Sequence, residues 1–152
     1  MFTLIRPLAA LALGLLGWIA ADAYRLLNEM VPDTATFTFL TAGIAAVSGW
    51  VFLGGQIGRA LWYSIYASIQ AVVVASVATS AFFAVRQGFV LGYRMRYREP
   101  MEAVADMFAH FVDFLRIGLE RDFLMLLGAG AVLIGIALHV LFWLLERRRT
   151  TR

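Results

Sequence analysis

The chain has 152 residues, of which 62% are hydrophobic and 15% charged, whereas a soluble domain carries about 25% charged residues; a soluble monomer is therefore excluded. Its net charge of +3 comes from 13 basic residues, all of them arginine, and 10 acidic ones. In a membrane protein, such charge indicates loops beside anionic lipid, not a nucleic-acid partner. The absence of cysteine also excludes thiol catalysis and cysteine-ligated metals.

Four stretches of the chain are long and apolar enough to cross a bilayer, which needs about 20 mostly apolar residues. They are predicted to span residues 4–22, 37–58, 61–85 and 123–145. The third and fourth contain no charged residue. The second contains hydroxyl side chains that a helix can satisfy with its own carbonyls; these belong to Thr38, Thr41 and Ser48.

The first stretch has a second interpretation. Arg6, the apolar run that follows it and residues 21–23 (ADA) also fit a signal peptide with a small-x-small cleavage site. Gly17 and Trp18 inside the run are typical of a packed helix, so we predict that the stretch is retained as a transmembrane helix.

A different pattern lies between the third and fourth stretches. Residues 86–100 are basic and aromatic, and residues 101–120 are amphipathic. At 100° per residue, one face of a helix over 101–120 carries the polar side chains Glu102, Asp106, His110, Asp113, Arg116 and Glu120, and the opposite face is apolar. The sequence therefore predicts one all-α integral membrane domain, 1–152, with four transmembrane helices and an amphipathic interfacial helix between the third and fourth.

Small residues recur at helical spacing on three of the predicted spans. In lipid, helices associate where small residues let their backbones approach. The residues predicted to pack in this way are Gly14, Gly17, Ser64, Ser68, Ala71, Ala75, Ala78, Gly128, Ala131 and Gly135. These stripes predict a compact bundle with further transmembrane helices as partners, in a homo-oligomer or a larger complex.

Arginines cluster beside the predicted spans, where they are expected to contact lipid phosphate or to gather anions. The residues concerned are Arg86, Arg94, Arg96, Arg98, Arg147, Arg148 and Arg149. Six arginines lie on the side of the two termini and seven on the other, so the positive-inside rule orients the chain only weakly. Arg6, before the first helix, favours an orientation with both termini in the cytoplasm.

Two histidines are the only imidazole groups of the chain. His139 continues the small-residue face of the last span. An intramembrane histidine raises the hypothesis of haem or pigment ligation or of a proton relay, against which we favour an interhelical hydrogen bond, with no cofactor. His110 lies near Asp106 and Asp113, where a solvated acidic face is favoured over a cation site. With no nucleophile–base pair or metal-ligand spacing, we do not expect an enzyme.

Three stretches carry a family resemblance: residues 17–22 (GWIAAD), 49–59 (GWVFLGGQIGR) and 97–104 (YREPMEAV). Their order and spacing resemble the TrgA family of small alphaproteobacterial membrane proteins, which is associated with tellurite resistance. Where the family pattern has Asp-Gly-Pro, this chain has residues 98–100 (REP). The resemblance implies a tellurite phenotype without a mechanism.

Three functions are compatible with these patterns. The first is a non-enzymatic inner-membrane protein that affects oxyanion tolerance through exclusion, transport or a membrane partner. The second is an accessory structural subunit of a respiratory or photosynthetic complex. The third is a small dual-topology transporter, which is the least favoured because such transporters need a carboxylate deep within a span.

Overall fold

A computed structural model describes the backbone of residues 5–27, 35–54, 60–93 and 100–150, and the side chains of all of these except 93, 100 and 146–150. The described residues form helices joined by short turns, and none of them lies in a strand. In chain order the helices are α1 (Ile5–Leu27), α2 (Ala35–Ser48), which continues as a π-helical turn (Gly49–Leu53), α3 (Leu61–Tyr93), α4 (Pro100–Gly118) and α5 (Arg121–Thr150).

Four helical segments are long and apolar enough to cross a membrane: α1, α2 with its π-helical turn, α3 and α5. This confirms that the described chain is all-α with four such helices, and several of these helices are longer than the predicted membrane spans. The first, third and fourth helices continue past the predicted ends at 22, 85 and 145, because a charged residue marks where water begins and does not end a helix. The second helical segment ends at Leu53, and most of the stretch predicted beyond it lies outside the described residues.

The four long helices form a closed bundle in which α1 packs against α2 and α5, and α3 packs against the same two helices. The α1–α2 contact is the most extensive and depends on small residues. A Cβ atom built on Gly17 would lie 2.6 Å from the Cβ of Ala45, which leaves no room for a larger residue. On the other side of α1, the side chain of Leu16 lies against Gly130 of α5.

Helix α4 doubles back along the C-terminal part of α3. Met107 lies against Gly88, and Phe114, further along α4, packs into the cluster that contains Phe83 of α3. The order of these contacts shows that α4 runs antiparallel to α3. The predicted helix over 101–120 is therefore present, with observed bounds Pro100–Gly118.

One aromatic ring from each of the five helices meets at a single level of the bundle. We call this cluster the aromatic junction; its members are Tyr24, Phe37, Phe83, Phe114 and Phe123. Tyr24 is central, with its ring centroid 5.7 Å from that of Phe123 and 6.2 Å from that of Phe114. Its hydroxyl donates a hydrogen bond to the Phe114 carbonyl at 3.4 Å. The junction thereby ties α4 to the bundle.

The aromatic junction lies about one hydrocarbon thickness from the start of α3. From Leu61 to Phe83 the helix rises about 33 Å at 1.5 Å per residue, and the hydrocarbon core of a bilayer is about 30 Å thick. If the first turn of α3 lies at one boundary of the hydrocarbon core, the aromatic junction lies at the opposite boundary. The last ten residues of α3 then extend beyond that boundary, together with α4.

Candidate functional site

A cavity of about 420 Å³ lies inside the bundle, on the Leu61 side of the aromatic junction. Its walls come from α1, α2, α3 and α5, and the C-terminal end of α4 contributes at the junction. The lining is almost entirely apolar and contains no charged side chain among the residues that the structure describes. The lining includes the hydroxyl residues Thr41, Ser76, Thr79 and Ser80. Thr41 and Ser76 each donate to a carbonyl of their own helix at 2.9 Å, and the wall as a whole exposes very little polar surface. The cavity wall is therefore a poor binding surface for a polar solute.

The cavity opens sideways between α3 and α5. Val73 and Val77 of α3 and Leu124 and Gly128 of α5 line the cavity and are also exposed. Leu119, at the end of the α4 segment, lines it from above and is exposed as well. Together these five residues form what we call the lateral mouth. In a bilayer, a mouth between two spanning helices faces lipid.

The same two helices are in close contact at the other end. A Cβ atom built on Gly135 would lie 2.9 Å from the Cα of Ile65 and 3.1 Å from the Ser64 carbonyl oxygen. His139, one turn further along α5, places its Nδ1 atom 3.3 Å from the Ser64 hydroxyl oxygen. This is the interhelical hydrogen bond predicted for His139, and it closes the α3–α5 pair below the cavity.

Ser68, one turn from Ser64 along α3, is a second buried hydroxyl on this face. Its side chain is fully buried, and its Oγ atom has no hydrogen-bond partner among the described residues. It does not line the cavity. The polar atoms of this part of α3 therefore belong to the helix contact and not to the cavity wall.

Most of the predicted packing residues are buried within the bundle. Those that are buried are Gly17, Ser64, Ser68, Ala71, Ala75, Ala131 and Gly135, and Gly14 is half-buried against Ala46. Ala78 and Gly128 are exposed in the described part of the chain, so contact with a transmembrane partner at these two positions stays a prediction.

The two exceptions have different physical reasons. Beyond Ala75, the face of α3 that carries Ala78 continues as Phe82 and Val85, and all three are exposed, so no described element covers this face of α3 beyond Ala75. A Cβ atom built on Gly128 would meet nothing within 4 Å, because α5 has separated from α3 at the lateral mouth.

No charged side chain of the described residues lines the cavity. Arg86 is exposed, whereas Arg94, Arg96 and Arg98 lie outside the described residues and the side chains of Arg147, Arg148 and Arg149 are not described. His110 lies 3.7 Å from Asp106 on the next turn of α4, and Asp22 lies 3.5 Å from Arg25 on α1. The described residues contain no group of three acidic or imidazole side chains that could hold a metal ion.

The aromatic junction and the cavity were not predicted from the sequence. A signal exists for four of the five rings, because the connectivity brings the helix ends near which they lie to one side of the bundle. These rings are Tyr24, Phe37, Phe114 and Phe123. The cavity has no such signal, since a void depends on the angle between helices. Comparisons with protein-family models, with curated proteins and with solved structures each found no match for this chain.

Proposed function

We propose that this chain is a non-enzymatic protein of the bacterial inner membrane that affects tellurite tolerance by binding a membrane-embedded partner. The observation that supports a partner, and not oxyanion conduction, is the charge-free lining of the cavity. Pores that select anions use rings of arginine or lysine side chains or aligned donors. The lining offers neither, and among its described residues it offers no carboxylate for a proton-coupled transporter.

Two measurements on the intact chain test this proposal. Deletion of the gene is expected to increase sensitivity to tellurite, and the wild-type chain supplied in trans is expected to restore tolerance. Proteoliposomes that contain the purified chain are expected to take up tellurite no faster than empty vesicles. A deletion strain as tolerant as its parent contradicts the phenotype, and chain-dependent uptake contradicts the partner mechanism.

A second candidate function, an accessory structural subunit of a respiratory or photosynthetic complex, is favoured by one uncovered face. Ala78, Phe82 and Val85 continue the buried stripe of α3 but are exposed, as expected for a face that a neighbouring transmembrane helix covers. Purification from native membranes in mild detergent, with identification of the co-migrating proteins, separates the two candidates. Ala78→Leu should release such a subunit from its complex, whereas Val73→Leu should not.

We further propose that α4 lies at the membrane–water interface and that both termini are cytoplasmic. The apolar stripe of α4 is exposed and includes Met101, Val104, Phe108 and Val112, so lipid is the natural environment for this face. A spin label at residue 108 should report lipid, and one at Asp113, on the polar face, should report water. Both labels at the bilayer centre would overturn the interfacial placement.

A further inference from the structure

We propose that the cavity holds one acyl chain of a membrane phospholipid, which enters through the lateral mouth from the leaflet on the α4 side. This inference deepens the proposed function, because it rests on the chain spanning a membrane and names the partner that the cavity takes. It does not depend on the tellurite phenotype.

The size of the cavity matches a single chain. Ligand pockets commonly enclose about 300–1,000 Å³, and the volume here is about 420 Å³. A dry apolar cavity of about 150 Å³ takes benzene, so by proportion this cavity has room for roughly 16 or 17 carbon atoms. That is the size of one common acyl chain and is much less than a transmembrane helix needs.

The cavity is deep enough to cover one leaflet and reaches about 6 Å past it. Its lining on α3 runs from Ile69 to Phe83, a rise of about 21 Å, whereas half of the hydrocarbon core is about 15 Å. One end lies at the aromatic junction, close to the charged residues 120–122, which connect α4 to the first turn of α5. A phospholipid can therefore keep its headgroup at the surface while one chain extends down the cavity.

The chemistry of the mouth selects for hydrocarbon. Val73, Val77, Leu119 and Leu124 present only apolar atoms, and Gly128 leaves a gap between them. Each methylene group that is transferred from water to an apolar site contributes about 0.8 kcal/mol. An acyl chain that moves into the cavity from the bilayer is already out of water, so it gains none of this free energy. Binding from the bilayer must therefore come from filling the void with dispersion contacts, which a flexible acyl chain can do.

The test uses two glycines that differ only in position. Gly128 and Gly43 are both exposed within helices, and a Cβ atom on either would meet nothing within 4 Å. Gly128 lines the mouth and Gly43 does not line the cavity. In Gly128→Leu, the new leucine side chain should therefore fill the mouth. Gly43→Leu is the matched control, because it makes the same change in helix propensity away from the cavity.

The three chains are reconstituted in vesicles of phosphatidylethanolamine and phosphatidylglycerol that contain a phosphatidylcholine with a photoreactive diazirine on one acyl chain. After irradiation, adducts are mapped by peptide mass spectrometry. In the wild type we expect adducts on inward side chains such as Leu16, Tyr24 and Phe83, which annular lipid does not reach. Gly128→Leu should remove most of these inward adducts, because its side chain blocks the mouth and leaves no room for the acyl chain, and Gly43→Leu should leave them unchanged.

Adducts on the outward Leu133 should be equal in all three chains, which shows that each is inserted in the vesicles. Wild-type adducts confined to outward faces would overturn the proposal, even if Gly128→Leu failed to fold. Equal numbers of adducts on the cavity-lining side chains of Gly128→Leu and Gly43→Leu would also overturn the proposal. So would a co-purified polypeptide that crosslinks to Tyr24 and excludes the lipid probe. A tellurite-tolerant deletion strain would overturn only the proposed function.

Discussion

The two ends of the α3–α5 pair carry the same type of residue with opposite consequences. Gly128 and Gly135 lie seven residues apart on one face of α5. A Cβ atom on Gly135 would lie 2.9 Å from the backbone of α3, whereas one on Gly128 would meet nothing within 4 Å. A glycine in a membrane helix therefore brings helices together only where the partner also approaches. Elsewhere, the same glycine leaves space, here the lateral mouth.

Substitution by leucine at these two positions is expected to give the largest contrast. Gly135→Leu forces the backbones of α3 and α5 apart, and overpacking of this kind costs about 3 kcal/mol or more when backbone must move. Gly128→Leu should leave the free energy of unfolding unchanged or raise it by up to about 1 kcal/mol through helix propensity. Thermal unfolding in mild detergent, followed by circular dichroism, measures both. Equal losses of stability would show that the contact at Gly135 does not hold the two helices together.

The second contrast lies on α3, between a buried and an exposed position. Ala71 is fully buried and Val73 is 56% exposed. Ala71→Leu is expected to destabilise the bundle by about 1–3 kcal/mol, and Val73→Leu by less than about 0.5 kcal/mol, as for a surface substitution. The fraction of monodisperse protein after heating, read by size-exclusion chromatography, should fall for the first variant only. Equal tolerance would mean that the buried stripe is not a packing face.

The sequence predicts the helices well because hydropathy alone identifies segments that satisfy their own hydrogen bonds in lipid. Thr41 and Ser48 behave as expected, each donating to a carbonyl four residues earlier at 2.9 Å. The helices are longer than the predicted spans because charged residues such as Arg25 and Arg86 remain helical. Apolarity marks the bilayer, whereas helix length depends on backbone bonds that continue beyond it.

The sequence predicts only in part which small residues lie in contacts between helices. Spacing places Gly128 and Gly135 on one face of α5, but spacing contains no information about where α3 separates from α5. At the same end of the bundle, the aromatic junction joins side chains that are far apart in sequence, such as Tyr24 and Phe114. The cavity follows from this long-range geometry, so no local pattern could predict it.

A smaller effect is expected at the aromatic junction. Tyr24→Phe keeps the ring contacts but removes the hydroxyl that donates to the Phe114 carbonyl at 3.4 Å. A hydrogen bond of this kind contributes about 0.5–1.5 kcal/mol, and its loss should loosen α4 without unfolding the bundle. Hydrogen exchange of the α4 amides should accelerate about threefold to tenfold. Tyr66→Phe, at a position 66% exposed, is the control and should leave exchange unchanged. Unaltered exchange in both variants would show that the hydroxyl does not hold α4.

The smallest effect is expected at His139, at the closed end. Its Nδ1 atom lies 3.3 Å from the Ser64 hydroxyl, and interhelical hydrogen bonds in membranes average about 0.6 kcal/mol. His139→Gln retains a group that can donate and accept, so stability, assembly and any tellurite phenotype should change little, whereas His139→Leu should lose about that amount. The visible spectrum of protein purified from native membranes provides the decisive readout, since glutamine weakens metal ligation. An absorbing group that is present in the wild type and lost in His139→Gln would make this histidine a ligand. If the spectrum is unchanged and only His139→Leu loses a little stability, His139 belongs to the helix contact that closes the cavity.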